Sequence, residues 1–359
     1  MLDTANIKFN TWKPFKEVIT ILNHRFKTNS TLTPVKVVID LRKYHRTEYK
    51  WVHKIIAKDK GDRLGTEIQI DFSYPKFFGK DNINLVNNND DLQKVNNAIY
   101  ELSKYITLDE ELDPNYFEYT RIDIAQQYEG IFEDYLGVFR LLQEILEKYT
   151  GKGTKESKEF LKSTYGFLKS YTKGFRYKKS TYCLTIYNKT AQMNPEDYIP
   201  EEEKESLIRI EQSFTPGMLG IKKLYFQDVS MKYFREKYQE SAKKRICDNL
   251  QTAINEVYKE LSKKVEYIVT DGKIREDLIL LEGAILDEEI ICNIIKNLDL
   301  DKSRRMKYYY QKMVKETLSR SGGVWRTFTG NFERIEKLIF KMCGKNITIK
   351  LNKNGVEIS

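Results

Sequence analysis

The chain has 359 residues, 40% of them apolar, and a net charge of +9. That length predicts two domains, and the apolar content excludes a disordered chain. No uncharged apolar run is long enough to span a membrane, and MLDTANIKFNTWKPFK at the start lacks a signal-peptide core. Cys183, Cys247, Cys292 and Cys343 are far apart and form no CxxC, which predicts reduced thiols in a cytoplasmic protein.

In chain order, VKVVIDL (35–41) and the alternating GTEIQIDFS (65–73) read as strands. NNNDD (87–91) reads as a polar helix start leading into LQKVNNAIYELSKYI. EYTRIDIAQQYE (118–129) is a further strand, and residues 133–173 turn helical around a TGKGT break. CLTIYNK (183–189) and LIRIEQS (207–213) are strands on either side of an acidic loop. Helices are predicted over 231–269, 287–298, 302–319 and 325–343, and NKNG near the end reads as a hairpin turn. The boundary drawn from this pattern gives a domain of residues 1–220 and a mostly helical one of 221–359.

Residues i and i+2 of a strand share a face. Ile68, Ile70 and Phe72 therefore oppose Glu67, Gln69 and Asp71, and Ile122 and Ile124 oppose Arg121 and Asp123. Leu184 and Ile186 oppose Tyr187 and Lys189, while Ile208 and Ile210 oppose Arg209 and Glu211. The expected class is α+β: an antiparallel sheet with helices on one face and an open polar face, then a mostly helical basic domain. A polar face is also what any wet antiparallel sheet shows. Aspartate is a poor strand former, however, so Asp71 and Asp123 call for a reason.

With three histidines and no HxH or HExxH, a metal site here must rest mainly on carboxylates, which suit Mg²⁺ or Mn²⁺. Asp123 and Glu211 rank first as ligands, then Asp71, then Glu67. Tyr187 is then a candidate nucleophile, with Lys189 to lower its pKa or steady a phosphate. Residues 302–345 hold twelve Lys/Arg against three acids, so this block alone carries the excess charge. Beside Tyr308, Tyr309, Tyr310, Trp325 and Phe328, that is the footprint of a phosphate-binding surface or of a solvated basic face. Candidate DNA contacts are Lys76, Arg121, Arg209, Arg304, Arg305, Lys307, Lys312 and Arg326. Helices with a basic helix and a terminal hairpin suit a winged-helix reader of duplex DNA, and equally a plain helical bundle.

Ordered stretches of the first 220 residues resemble the gene II type replication initiators of filamentous phages, nicking–closing endonucleases, and more distantly plasmid rolling-circle initiators. MLDT is similar to the family's opening Met-Ile/Leu-Asp, and SYPKFFGKDN to its Ser-Pro-x-Lys segment, with Lys80-Asp81 a local departure. TRIDIA is similar to its Ser/Thr-Arg-Ile-Asp-Ala strand, and CLTIYNKTAQM with LIRIEQSF to its Tyr-x-Lys and Arg-Phe/Ile-Glu strands. The resemblance implies a phosphotyrosine bond to DNA through Tyr187, a 3′-hydroxyl primer, rejoining of the strand, and a host helicase and single-strand-binding protein as partners in the cytoplasm of a bacterial host cell; the lack of a long apolar run predicts no membrane partner. A plasmid mobilisation relaxase and a non-catalytic DNA-binding replication protein remain the alternatives.

Overall fold

The computed structural model describes residues 1–28, 35–44, 49–61, 65–79, 84–109, 111–150, 175–179, 182–190, 206–270, 288–297, 305–312, 331–352 and 355–359. The predicted α+β class is what it shows. Eight strands form one sheet: β1 (Leu2–Thr11), β2 (Lys36–Asp40), β3 (Val52–Asp59), β4 (Thr66–Ser73), β5 (Glu118–Gly130), β6 (Phe175–Lys179), β7 (Tyr182–Asn188) and β8 (Ser206–Phe214). Their order is β2-β3-β4-β1-β5-β8-β7-β6. The chain divides into two compact units, and not at one cut near residue 220. The first holds Met1–Gln126, Ser180–Leu184 and Glu211–Lys237; the second holds Gln127–Lys179, Thr185–Ile210 and Tyr238–Ser359. Strands β5, β7 and β8 each contribute residues to both, so the units are not contiguous in sequence.

In the first unit, β1 lies between β4 and β5 and pairs antiparallel with each. Leu2, Ala5, Ile7 and Phe9 of β1 are buried, as are Ile68, Ile70 and Phe72 of β4 and Ile122 and Ile124 of β5. Helices α1 (Phe15–Phe26) and α3 (Asn89–Thr107) bring Val18, Ile19, Leu22, Phe26, Val95, Ile99 and Ile106 to the core. Each such side chain contributes about 1.5–3 kcal/mol on leaving water. The predicted start of α3 holds: the Asn88 side chain accepts from Asp91 N at 2.8 Å, and Asp90 and Asp91 sit in the first turn, where the helix dipole favours acids. A one-turn helix, α2 (Tyr74–Phe77), follows β4 directly. The Tyr74 and Tyr119 hydroxyls, both fully buried, lie 2.9 Å apart, and Tyr119 donates to Asn96 Oδ1 at 3.3 Å.

The second unit is more helical, with α4 (Leu136–Thr150), α6 (Asp248–Thr270), α7 (Glu288–Asn297) and α8 (Asn331–Cys343). Helix α5 (Met231–Ala242) runs on through a π-helical segment, Lys243–Cys247, into α6, as one predicted helical run. The terminal hairpin forms as expected from β9 (Ile349–Asn352) and β10 (Gly355–Ile358). Gln251 on α6 holds it, donating to Val356 O and accepting from Ile358 N, both at 2.7 Å. One expectation is corrected here: Cys247 and Cys343 are not two free thiols but a bonded pair, brought together from 96 residues apart. Among the described residues, Cys183 and Cys292 take no part in a disulfide. Among the described residues no helix is long and apolar enough to cross a membrane.

Candidate functional site

Away from the helices, the sheet of the first unit carries a row of polar side chains across five strands. Asp40 pairs in register with Lys54, Lys54 with Asp71, Asp71 with Asn6, and Asn6 with Arg121. Register shifts interrupt the pairing around this row, one of them between Asn6 and Ile7. Between Leu2 and Ala5 the register of β1 on β5 shifts, so Asp3 and Thr4 sit in a bulge. A shift between Val52 and Lys54 places His53 in a bulge of β3. Bulges re-aim side chains, and at these two Thr4 reaches Asp123 while His53 feels the charges of Asp3 and Arg121.

Asp123 is buried at 3% exposure. Its Oδ2 accepts from Thr4 Oγ1 and, at 2.7 Å, from Arg121 Nη2. Among the described residues its Oδ1 is buried with no hydrogen-bond partner, and so are Asp71 Oδ1, Ser73 Oγ and His53 Nε2. Ser73 lies opposite Thr4 in register, so these groups come from adjoining strands. Burial pushes the Asp71 carboxyl above the usual carboxylate range; Asp123 adds to the rise, while Arg121, Lys54 and Arg42 oppose it. Burial works against the charge on Arg121, yet Asp123, Asp71 and Glu211 hold its pKa above the ordinary value. The His53 imidazole is lowered to about 4, by burial first and then by Lys76, Arg42 and Arg121, with Asp3 opposing. It is neutral at physiological pH.

The first unit thus unites three of the four expected carboxylates, Asp71, Asp123 and Glu211, around Arg121. Glu67 is elsewhere. It stands four residues from Asp71 along β4, roughly 13 Å away, and is clamped by Lys58 at 3.0 Å and Lys60 at 2.9 Å. Burial raises its pKa, but the two lysines outweigh that and leave it lowered. Among the described residues it pairs with both lysines, apart from the other three carboxylates. His53, Ser73 and Thr4 were missed by sequence reasoning, and the broken alternation of WVHKII was the one available signal for His53.

In the second unit, Tyr187 and Lys189 are both buried, at 8% and 3% exposure. Strand β7 does not alternate as expected: Tyr182, Cys183, Leu184, Ile186, Tyr187 and Asn188 are all buried and only Thr185 is half-buried. It ends at Asn188, so Lys189 opens a helical turn and does not share the strand face of Tyr187. Arg209 is fully buried, with Nη2 3.0 Å from Gln127 Oε1, which corrects its expected role as a DNA contact. Lys76 and Arg305 are exposed, as is Lys312, whereas Lys307 is half-buried. Arg121 is 46% exposed. Arg304 and Arg326 lie outside the described residues.

The donor set at Asp71 and Asp123 is hard oxygen. That suits Mg²⁺ or Mn²⁺, and two orphaned carboxylate oxygens show where a cation would be welcome. Among the described residues no group of three or more His, Cys, Asp and Glu is close enough to hold a metal by itself. Mg²⁺ is commonly held by one or two carboxylates, the remaining positions going to water and substrate phosphate. No family model, no curated protein and no solved structure matches the chain.

Proposed function

We propose that the chain is a divalent-metal-dependent DNA nicking–closing enzyme that starts replication at an origin. The observation that carries this reading is the pair of buried oxygens of Asp71 and Asp123, unpartnered among the described residues, on the polar side of the sheet, with Arg121 interacting electrostatically with both. Asp71 and Asp123 would hold the metal, with Glu211 and His53 near the same charge network. Bound there, a metal would polarise a phosphodiester and stabilise the leaving oxygen. Arg121 and the exposed Lys76 would steady the phosphates of a single strand.

Tyr187 enters as nucleophile from the sequence resemblance. Its phenolic oxygen would attack phosphorus, the bond to the 3′-oxygen would break, and the strand would leave with a 3′-hydroxyl while its 5′-phosphate stayed on the tyrosine. The reverse step rejoins the strand. A second reading, a DNA-binding replication protein without catalysis, is favoured by the burial of Tyr187 and Lys189. The two are separated by incubating the full chain with a labelled pool of random single-stranded oligonucleotides and Mg²⁺ or Mn²⁺. Cleavage that stops with EDTA and with Asp123→Asn supports the enzyme. Binding without cleavage supports the second reading.

A further inference from the structure

The first unit contains a cavity of about 630 Å³ that the proposed chemistry does not use. It lies where β1 ends and β5 begins. Its floor is the stacked pair Phe9 and Phe117, with centroids 4.5 Å apart and planes at 7°. Trp12 and Tyr116 stand on its rim at 79% and 71% exposure, which is unusual for aromatics of their size. Trp12 is presented by fixed backbone. Thr11 Oγ1 donates to Asp109 at 2.7 Å, and Thr66 Oγ1 donates to Lys13 O at 2.8 Å, so both neighbours are tied down. Gly65, at φ +68°, lets the β3–β4 connection abut this segment; a Cβ there would meet Thr11 O at 2.1 Å.

Five carboxylates line the cavity against three lysines. Lys8 is taken by Glu118 at 3.3 Å and Lys60 by Glu67 at 2.9 Å, while Lys223 lies 5.8 Å over the Tyr225 ring. Among the described residues Asp109, Glu111 and Asp113 have no cation within ion-pair distance, and all three line the cavity between α3 and β5. A phosphate-bearing ligand would be repelled there. A cation with an apolar stem gains twice: its charge meets the carboxylates, and its stem and charge meet aromatic faces. The volume is within the range of small-molecule sites.

We infer that this cavity binds an organic cation, an alkylammonium or guanidinium group whose stem packs on Trp12 and Tyr116. The proposal is independent of DNA cleavage. Its source is either a free polyamine or an arginine side chain of a peptide, and calorimetry on the full chain distinguishes them with spermidine and with N-acetyl-arginine amide as probes. Thymidine monophosphate serves as the anionic aromatic comparison. At least one cation binds saturably at one site, and the tighter of the two identifies the source. Trp12→Ala weakens it about two- to fivefold, the range for an exposed cation–π contact. Glu111→Gln combined with Asp113→Asn weakens it roughly three- to tenfold. That pair keeps an acceptor for the Asn115 N–H, which Asp113 now satisfies at 2.9 Å, so the loop stays folded. The inference is overturned if neither cation gives a saturable isotherm. It is equally overturned if both variants bind as the parent does, or if thymidine monophosphate binds more tightly than either cation.

Discussion

Asp71→Asn separates a residue kept for its charge from one kept for the fold. In the metal-free protein, Asp71 Oδ1 is buried without a partner, and burial raises the carboxyl's pKa. A buried acceptor left unsatisfied costs about 1–3 kcal/mol, and a charge on it adds to that cost. Replacing the carboxylate by a neutral amide of the same shape therefore stabilises the metal-free protein by about 1 kcal/mol near neutral pH. The sign follows from linkage. A carboxyl whose folded pKa is raised gives its stability below the unfolded pKa and loses it as pH rises through the folded value. The gap between variant and parent consequently closes toward about pH 4. Metal reverses the order. A ligand at a hundredfold excess over its Kd adds about 2.7 kcal/mol to a protein that binds it, and the parent gains this while the variant does not. Urea unfolding followed by circular dichroism, with Mg²⁺ and with EDTA at several pH values, reads all three effects. Destabilisation of the metal-free protein by Asp71→Asn near neutral pH would refute the reasoning, because the carboxylate would then be a structural partner.

Three further outcomes are expected. His53, lowered to about 4, gives stability that is complete above about 6.5 and lost as pH falls toward 4, so His53→Gln flattens that stretch of the stability–pH curve. Tyr119→Phe costs about 1–3 kcal/mol in urea unfolding, since it strands the Tyr74 hydroxyl and Asn96 Oδ1 together. Tyr74→Phe costs less, because Tyr119 keeps Asn96. Arg305→Ala with Lys312→Ala lowers duplex-DNA affinity and makes the salt dependence shallower by about 0.9 log units per lost phosphate contact, measured by fluorescence anisotropy. An unchanged slope leaves that face as solvated surface.

Much of the first unit was legible because its strands alternate. Parity alone placed Ile68, Ile70, Ile122 and Ile124 in the core and Asp71, Asp123 and Arg121 opposite them. The capped start of α3 and the terminal hairpin were equally local signals. The central strand β1 was not read, and the reason is physical. The bulge at Asp3 and Thr4 makes Leu2, Ala5, Ile7 and Phe9 the buried set, and that spacing does not have period two. The same kind of irregularity hid His53. Strand β7 failed differently: it is buried on both faces, so a polar residue such as Tyr187 marks no open surface. The Cys247–Cys343 pair has no local signature, because helix packing and not sequence spacing joins it. Glu67 shows the limit of parity, which gives a face but not a neighbour.

The central claim is a covalent phosphotyrosine, and trapping it is the most direct test. The full chain is incubated with labelled single-stranded oligonucleotides and Mg²⁺ or Mn²⁺, denatured in SDS, digested, and the labelled peptide sequenced by mass spectrometry. The account predicts an SDS-stable adduct on Tyr187 that disappears in Tyr187→Phe while DNA binding persists. An adduct on another residue, or one that survives Tyr187→Phe, would contradict the claim, as would binding without any adduct.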